Sequence, residues 1–108
     1  MIHLGENMII YEVNIELDTE IVSEFNEWLD EHINKMLQFE GFKSAKKLNS
    51  IEDEQYFLTV QYNVDSQEDL DRYLGNYAEN MRMEGFNKFG NKFKAHRRIM
   101  NTIKTYPN

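Results

Sequence analysis

The chain has 108 residues, 41% of them hydrophobic, no cysteine, and 19 acids against 12 bases for a formal charge of -7. That length suits one domain around one modest core, and the lack of cysteine excludes disulfides and thiolate metal sites and fits a cytoplasmic protein. The acidic balance opposes non-specific nucleic-acid binding, no apolar run approaches the roughly 20 residues of a membrane helix, and the N-terminus does not read as a signal peptide.

Residues 1–7 read as an N-terminal tail or an upstream start, because the patterned region begins at Met8; His3 therefore receives no role. From about 8 to 17, Ile9, Tyr11, Val13, Ile15 and Leu17 alternate with residues that include Glu12, Asn14 and Glu16. This is a strand with one apolar row, which helices must cover, and one polar row, which meets water, a ligand or a second subunit. Asp18 or Thr19 can cap a helix running to about Phe39, with Gly41 as its left-handed stop. Ile21, Phe25, Trp28, Leu29, His32, Ile33 and Met36 share one face of it, and Glu20, Glu24, Glu27 and Glu31 the other.

A second strand, about 42–51, leads through the acidic turn Glu52, Asp53, Glu54 into a third, about 55–64, where Tyr56, Leu58, Val60, Tyr62 and Val64 repeat the alternation against Phe57, Thr59, Gln61 and Asn63. Ser66 with Asp69 begins a second helix whose stripe is Leu70, Tyr73, Leu74, Tyr77, Ala78 and Met81. Helical character is expected to reach Phe89, with Gly85 as a kink and Gly90 as the C-terminal cap. Residues 92–104 read as a fourth strand carrying Phe93, Ala95, Ile99 and Ile103, and 105–108 as a C-terminal tail.

The order strand, helix, strand, strand, helix, strand predicts one α+β domain over 8–104 of ferredoxin-like β-α-β-β-α-β type, a four-stranded antiparallel sheet with two helices on one face and strands one and three at its centre. The open face would carry Ile10, Glu12, Asn14, Glu16, Phe57, Thr59, Gln61 and Asn63, joined by Lys94, His96, Arg98 and Met100. Charge is unevenly spread: between Glu16 and Glu40 there are eight acids and one base, whereas from Phe86 onward there are six bases and no acid. Such a dipole can orient self-association or draw in an anion, although two solvated surfaces account for it as well.

The segments MIIYEVNIEL, WLDEHI, FLTVQY, LDRYL and KFGNKFKAHRRIM, in this order and spacing from Met8 to about Ile103, resemble an uncharacterised bacterial family of about 100 residues, domain of unknown function 4286. Proteins of this shape look like the dimeric α/β-barrel superfamily, in which two ferredoxin-like subunits bring their open sheet faces together around a cavity. That superfamily includes cofactor-independent monooxygenases, small-molecule isomerases and haem-degrading enzymes, so the resemblance implies fold and homodimer rather than a reaction. Where the family pattern often has a proline after His-Ile, this chain has Asn34; where it often has a large apolar residue, this chain has His96.

The candidate pocket-lining residues are Glu12, Asn14, Trp28, His32, Phe57, Thr59, Gln61, His96 and Arg98. Trp28 and His32, four residues apart, meet on one helix face, where the histidine is a general base or a ligand donor, or else a core residue stacked on Trp28. Glu12, Asn14, Gln61, Thr59, His96 and Arg98 on one concave face could orient a small polar or acidic molecule, but in a wet dimer interface they would bond to one another, above all Glu12 to Arg98. Phe57 falls on the polar row and calls for a subunit contact or a pocket, whereas Phe25, Trp28, Tyr73 and Tyr77 read as core and Phe86 and Phe89 as a partner surface. Lys43, Lys46, Lys47, Arg97 and Arg98 form a patch for an anion, or simply protect edge strands from aggregation.

The scattered glycines form no phosphate loop, and the three histidines have no ligand spacing, so neither a metal nor a cofactor is expected. The leading expectation is a homodimeric small-molecule-binding or accessory module. A cofactor-independent enzyme using Glu12, His32 or His96 as proton carrier is the main rival, and a protein-interaction module docking through the acidic first helix is the third.

Overall fold

The two alternating segments pair with each other. In the computed structural model, which describes residues 8–108, β1 (Ile9–Leu17) runs antiparallel to β3 (Gln55–Val64) with Tyr11 opposite Tyr62, Val13 opposite Val60 and Ile15 opposite Leu58. Because side chains alternate across a strand, this register sends both apolar rows to one face and Glu12, Asn14, Thr59 and Gln61 to the other. β2 (Phe42–Glu52) and β4 (Phe93–Asn101) add to either side, giving an antiparallel sheet ordered β2-β3-β1-β4 with the expected central pair.

The hairpin between β2 and β3 closes on Asp53 and Glu54, both left-handed at φ 51° and 68°. Two successive left-handed residues match the right-handed twist of a two-residue hairpin, which is why so tight a turn forms here without glycine. Gly41 is also left-handed, at φ 87°, and lies so close to the start of the following helix that an added Cβ would stand 2.3 Å from the Asp69 carboxylate.

After β1 the chain makes one 3₁₀ turn, Thr19–Ile21, and then α1 (Val22–Met36). No side-chain cap forms at either start, so the capping expected of Asp18 or Thr19 is not realised, and the helix stops short of Phe39. Ser66 does cap the next helix, its hydroxyl accepting from the Asp69 amide at 3.1 Å.

The second helical segment is two helices rather than one kinked at Gly85. α2 (Gln67–Asn76) ends at Tyr77, whose backbone leaves the helical region at φ -128°, and α3 (Ala78–Phe89) continues to the left-handed Gly90. Asn76 turns its amide back to the Arg72 carbonyl at 2.9 Å, a local bond that competes with helix continuation. The break shifts the buried stripe. Leu70 and Tyr73 face the core in α2, but Ala78, Met81, Gly85 and Phe89 do so in α3, which leaves Tyr77 46% exposed and stacked on Phe39 with ring centroids 4.8 Å apart.

All three helices cover the apolar face of the sheet. Phe25, Leu29 and Met36 of α1 and Leu70, Tyr73, Met81 and Phe89 join the inner rows of β1 and β3 in one continuous core. Each large side chain buried in this way contributes about 1.5–3 kcal/mol to folding. The expected exposure of Phe89 is thus reversed, whereas Phe86 is on the surface as expected. β4 ends at Asn101, so Ile103, expected on the strand, lies beyond it and is 92% exposed. No helix among the described residues is long and apolar enough to cross a membrane.

Candidate functional site

No helix covers the second face of the sheet, and at its centre lies a charged residue that is nonetheless buried. Glu12 is only 3% exposed, because neighbouring polar side chains close over it. Gln61, directly opposite on β3, donates to Oε1 at 2.9 Å; Asn14, two residues along β1, donates to Oε2 at 2.9 Å; and Arg98, opposite on β4, donates its Nε–H to Oε2. Thr59 extends the chain by donating its hydroxyl to the side-chain Oδ1 of Asn14 at 2.9 Å. The amides of Gln61 and Asn14, reinforced by the Arg98 guanidinium, overcome the cost of burial and hold the carboxyl down at about 2.

Beside this network is a hollow of about 190 Å³ bounded by Asn14, Glu16, Ser50, Phe57, Thr59 and His96. The sheet therefore gathers Glu12, Asn14, Phe57, Thr59, Gln61, His96 and Arg98 on one surface, as the alternation predicted. Trp28 and His32 are elsewhere. They stack with ring centroids 4.6 Å apart on the inner side of α1 and line a cavity of about 50 Å³ between helices and sheet. The nine candidate residues thus divide between two sites with the sheet between them, and no single cavity joins Glu12, His32 and His96.

The inner cavity includes three polar residues outside the nine candidates, one of them, Arg97, expected instead in a basic patch. Tyr11, Arg82 and Arg97 line it together with His32, and Arg82 donates to the Tyr11 hydroxyl at 3.0 Å. Arg97 was detectable in principle, because it interrupts the inward-facing row Phe93, Ala95, Ile99 of β4; Arg82, on a helix surface, gave no such signal. His32 has a buried Nδ1 with no hydrogen-bond partner among the described residues, and desolvation pushes its pKa down. Glycine at position 85 is required by this same wall, since a Cβ there would approach the Trp28 ring to 2.9 Å.

The basic residues expected to form one patch are dispersed. Lys47 turns to the helix side and pairs with Asp30 at 2.6 Å, Lys43 pairs with Asp65 at 3.3 Å, and Arg97 and Arg98 point to opposite faces of β4. Among the described residues no three His, Asp or Glu side chains gather as a metal site.

An antiparallel sheet covered on one side by three helices, with a hydrogen-bonded carboxylate on the other, defines a small α+β protein of sheet-and-helix type. The chain belongs to the family described as Domain of unknown function (DUF4286), whose model matches residues 8–103. No curated protein matches it. Among solved structures it is similar to a conserved protein from Methanosarcina mazei Go1, at 17% identity and a TM-score of 0.69, over 94% of this chain and 99% of that one. The de novo designed protein Foldit4 is similar at 14% identity and a TM-score of 0.63, over 87% and 97% of the two chains. PelD 156-455 from Pseudomonas aeruginosa PA14, solved in complex with c-di-GMP, is similar at 16% identity and a TM-score of 0.58, over 92% of this chain but 34% of that one. At these identities the likeness is one of fold, and the presence of a designed protein among the neighbours illustrates that the fold alone carries no function.

Proposed function

We propose that this protein is a ferredoxin-like, non-catalytic binding or accessory module that works as a homodimer, with two open sheet faces enclosing a polar-lined space for a small molecule. The strand order, read from the other edge as 4-1-3-2, with the helices on one face, supports the ferredoxin-like reading. The observation that carries the reading is the uncovered sheet face itself, on which a fully partnered Glu12 sits beside the hollow of Asn14, Thr59 and His96. Leu48 and Phe57 add apolar area to that face, and Glu16 and Glu52 alternate with Lys46 and Lys94, so it carries both the apolar patches and the mixed charge that let a surface pair with its own copy.

Catalysis is the weaker reading on geometric grounds. A carboxyl held ionised by three donors is a poor proton acceptor near neutral pH, and His32 and His96 lie on opposite sides of the sheet, so neither can relay to the other. Multi-angle light scattering across the micromolar range tests the proposal. A dimer is expected for the native chain and a monomer for Leu48→Glu, whose side chain is already solvent-accessible, while Glu27→Lys on the outer face of α1 remains dimeric. A native chain that is monomeric throughout would rule the pairing out.

A further inference from the structure

We propose that the cavity between the helices and the sheet is a second binding site, for a short-chain monocarboxylate, with Arg82 and Arg97 taking the carboxylate and the apolar floor around Phe25 and Trp28 taking the alkyl chain. This site is on the helix side of the sheet and does not depend on pairing of the open faces.

Two guanidinium groups converge there without a compensating acid. Arg82 reaches from α3 to the Tyr11 hydroxyl at 3.0 Å, and Arg97, inward-facing on β4 opposite Val13 and two residues before Tyr11's partner Ile99, lies against the same phenol. None of the residues lining the cavity is an Asp or Glu. Neither arginine pairs with a carboxylate among the described residues, and the neighbouring Glu84 is taken by Lys35 at 2.7 Å. Like charges held against one neutral hydroxyl repel each other, and an anion between them removes that repulsion while accepting from two planar donor forks. Both arginines are solvent-exposed, so they mark the opening through which a ligand enters.

The second observation is His32. Its Nδ1 is buried in the cavity wall without a partner, the condition of a polar group whose bond is completed by something that the chain itself does not supply. The remaining lining is aliphatic and aromatic, with the three tyrosines Tyr11, Tyr62 and Tyr73 but no further charged side chain, which suits a hydrocarbon tail better than a sulfate or phosphate. Size narrows the class further. A volume of about 50 Å³ exceeds the roughly 10–15 Å³ that one water needs, yet falls well below the roughly 150 Å³ of a cavity that admits benzene. A carboxylate with two or three carbons fits that interval.

Trp28 is the single tryptophan of the chain and forms part of the wall, so intrinsic fluorescence reports directly on occupancy. The full chain is titrated with propionate at constant ionic strength, using chloride as the compensating anion. A saturable change in the roughly millimolar range is expected, as befits a ligand of so few atoms. Arg97→Gln should weaken it about tenfold through the lost charge-assisted bonds, while Lys88→Gln, an equal change of charge elsewhere on the surface, leaves it unaltered. A response no different from that to chloride, or an Arg97→Gln protein that binds like the native one, overturns the site. Should Arg97→Gln fail to fold, the arginine side-chain N–H resonances of the native protein decide the matter, and no shift on propionate addition overturns it equally. Light scattering on the same samples reports dimerisation separately, so failure here is distinguishable from failure of the pairing.

Discussion

Arg98 of β4 donates its Nε–H to Oε2 of Glu12 on β1, yet the two side chains are unequally placed: the arginine is 66% exposed and the carboxylate 4%. The pair therefore joins a solvated cation to a covered anion, and its two halves should respond differently to mutation. Arg98→Ala removes an ion pair largely screened by water and should cost about 0.5 kcal/mol in urea denaturation. Glu12→Ala strips the acceptor from Gln61 and Asn14 together and should cost about 2 kcal/mol. Equal losses would show that the amides contribute nothing to the network.

The same carboxyl makes stability depend on acid. Its pKa in the folded state, about 2, lies below its ordinary value of 4.5, so the folded protein favours the ionised form. The resulting stabilisation is complete above about 4.5 and is lost as pH falls from there toward 2. Denaturation midpoints at pH 7, 4.5 and 3 should fall more steeply for the native chain than for Glu12→Gln. Parallel curves for the two proteins would contradict this origin of the acid sensitivity.

Gly85 faces the Trp28 ring across the α1–α3 contact, where an added Cβ would come within 2.9 Å of it. Alanine gains about 1 kcal/mol of helix propensity, but overpacking a ring already stacked on His32 costs about 1–3 kcal/mol. Gly85→Ala should be net destabilising by about 1 kcal/mol and should shift the Trp28 emission. A stabilised variant with unchanged emission would mean that the wall yields freely.

The hairpin turn offers a gain instead. Asp53 and Glu54 both occupy the left-handed region, at φ 51° and 68°, which disfavours a side-chain-bearing residue. Asp53→Asn with Glu54→Gly supplies the pair that such turns prefer and should stabilise the chain by about 1 kcal/mol, read as a raised thermal midpoint. Loss of stability would show that the turn's acids make compensating contacts.

Ser66 is the single capping residue that both the sequence and the structure place at a helix start. Ser66→Ala should cost about 1 kcal/mol, because the Asp69 amide loses its acceptor. Asp18→Ala, by contrast, should be nearly neutral, since no side-chain cap forms at that turn.

Period-2 alternation in β1 and β3 and period-3.6 spacing in α1 were sufficient to identify the strands, the order of elements and which row of each central strand is buried, because these are properties of neighbouring residues in the chain. They also placed Glu12, Asn14, Phe57, Thr59, Gln61, His96 and Arg98 on one face. The break at Tyr77 was not legible. It depends on how Asn76 folds back on Arg72 and how Phe39, far away in sequence, receives the Tyr77 ring. Phe89 was misread for the same reason, since the break rotates α3 and turns that ring inward.

The sequence by itself determined a sheet with one apolar and one polar face, and the side chains that the polar face displays. Only the tertiary structure decided that Glu12 is covered and ionised, that Trp28 and His32 belong to the opposite side of the sheet, and that Arg82 meets Tyr11 across 71 positions of chain. Periodicity assigns a residue to a face. Which distant residue shares that face is set by strand register and helix packing, and so by contacts that no local pattern encodes.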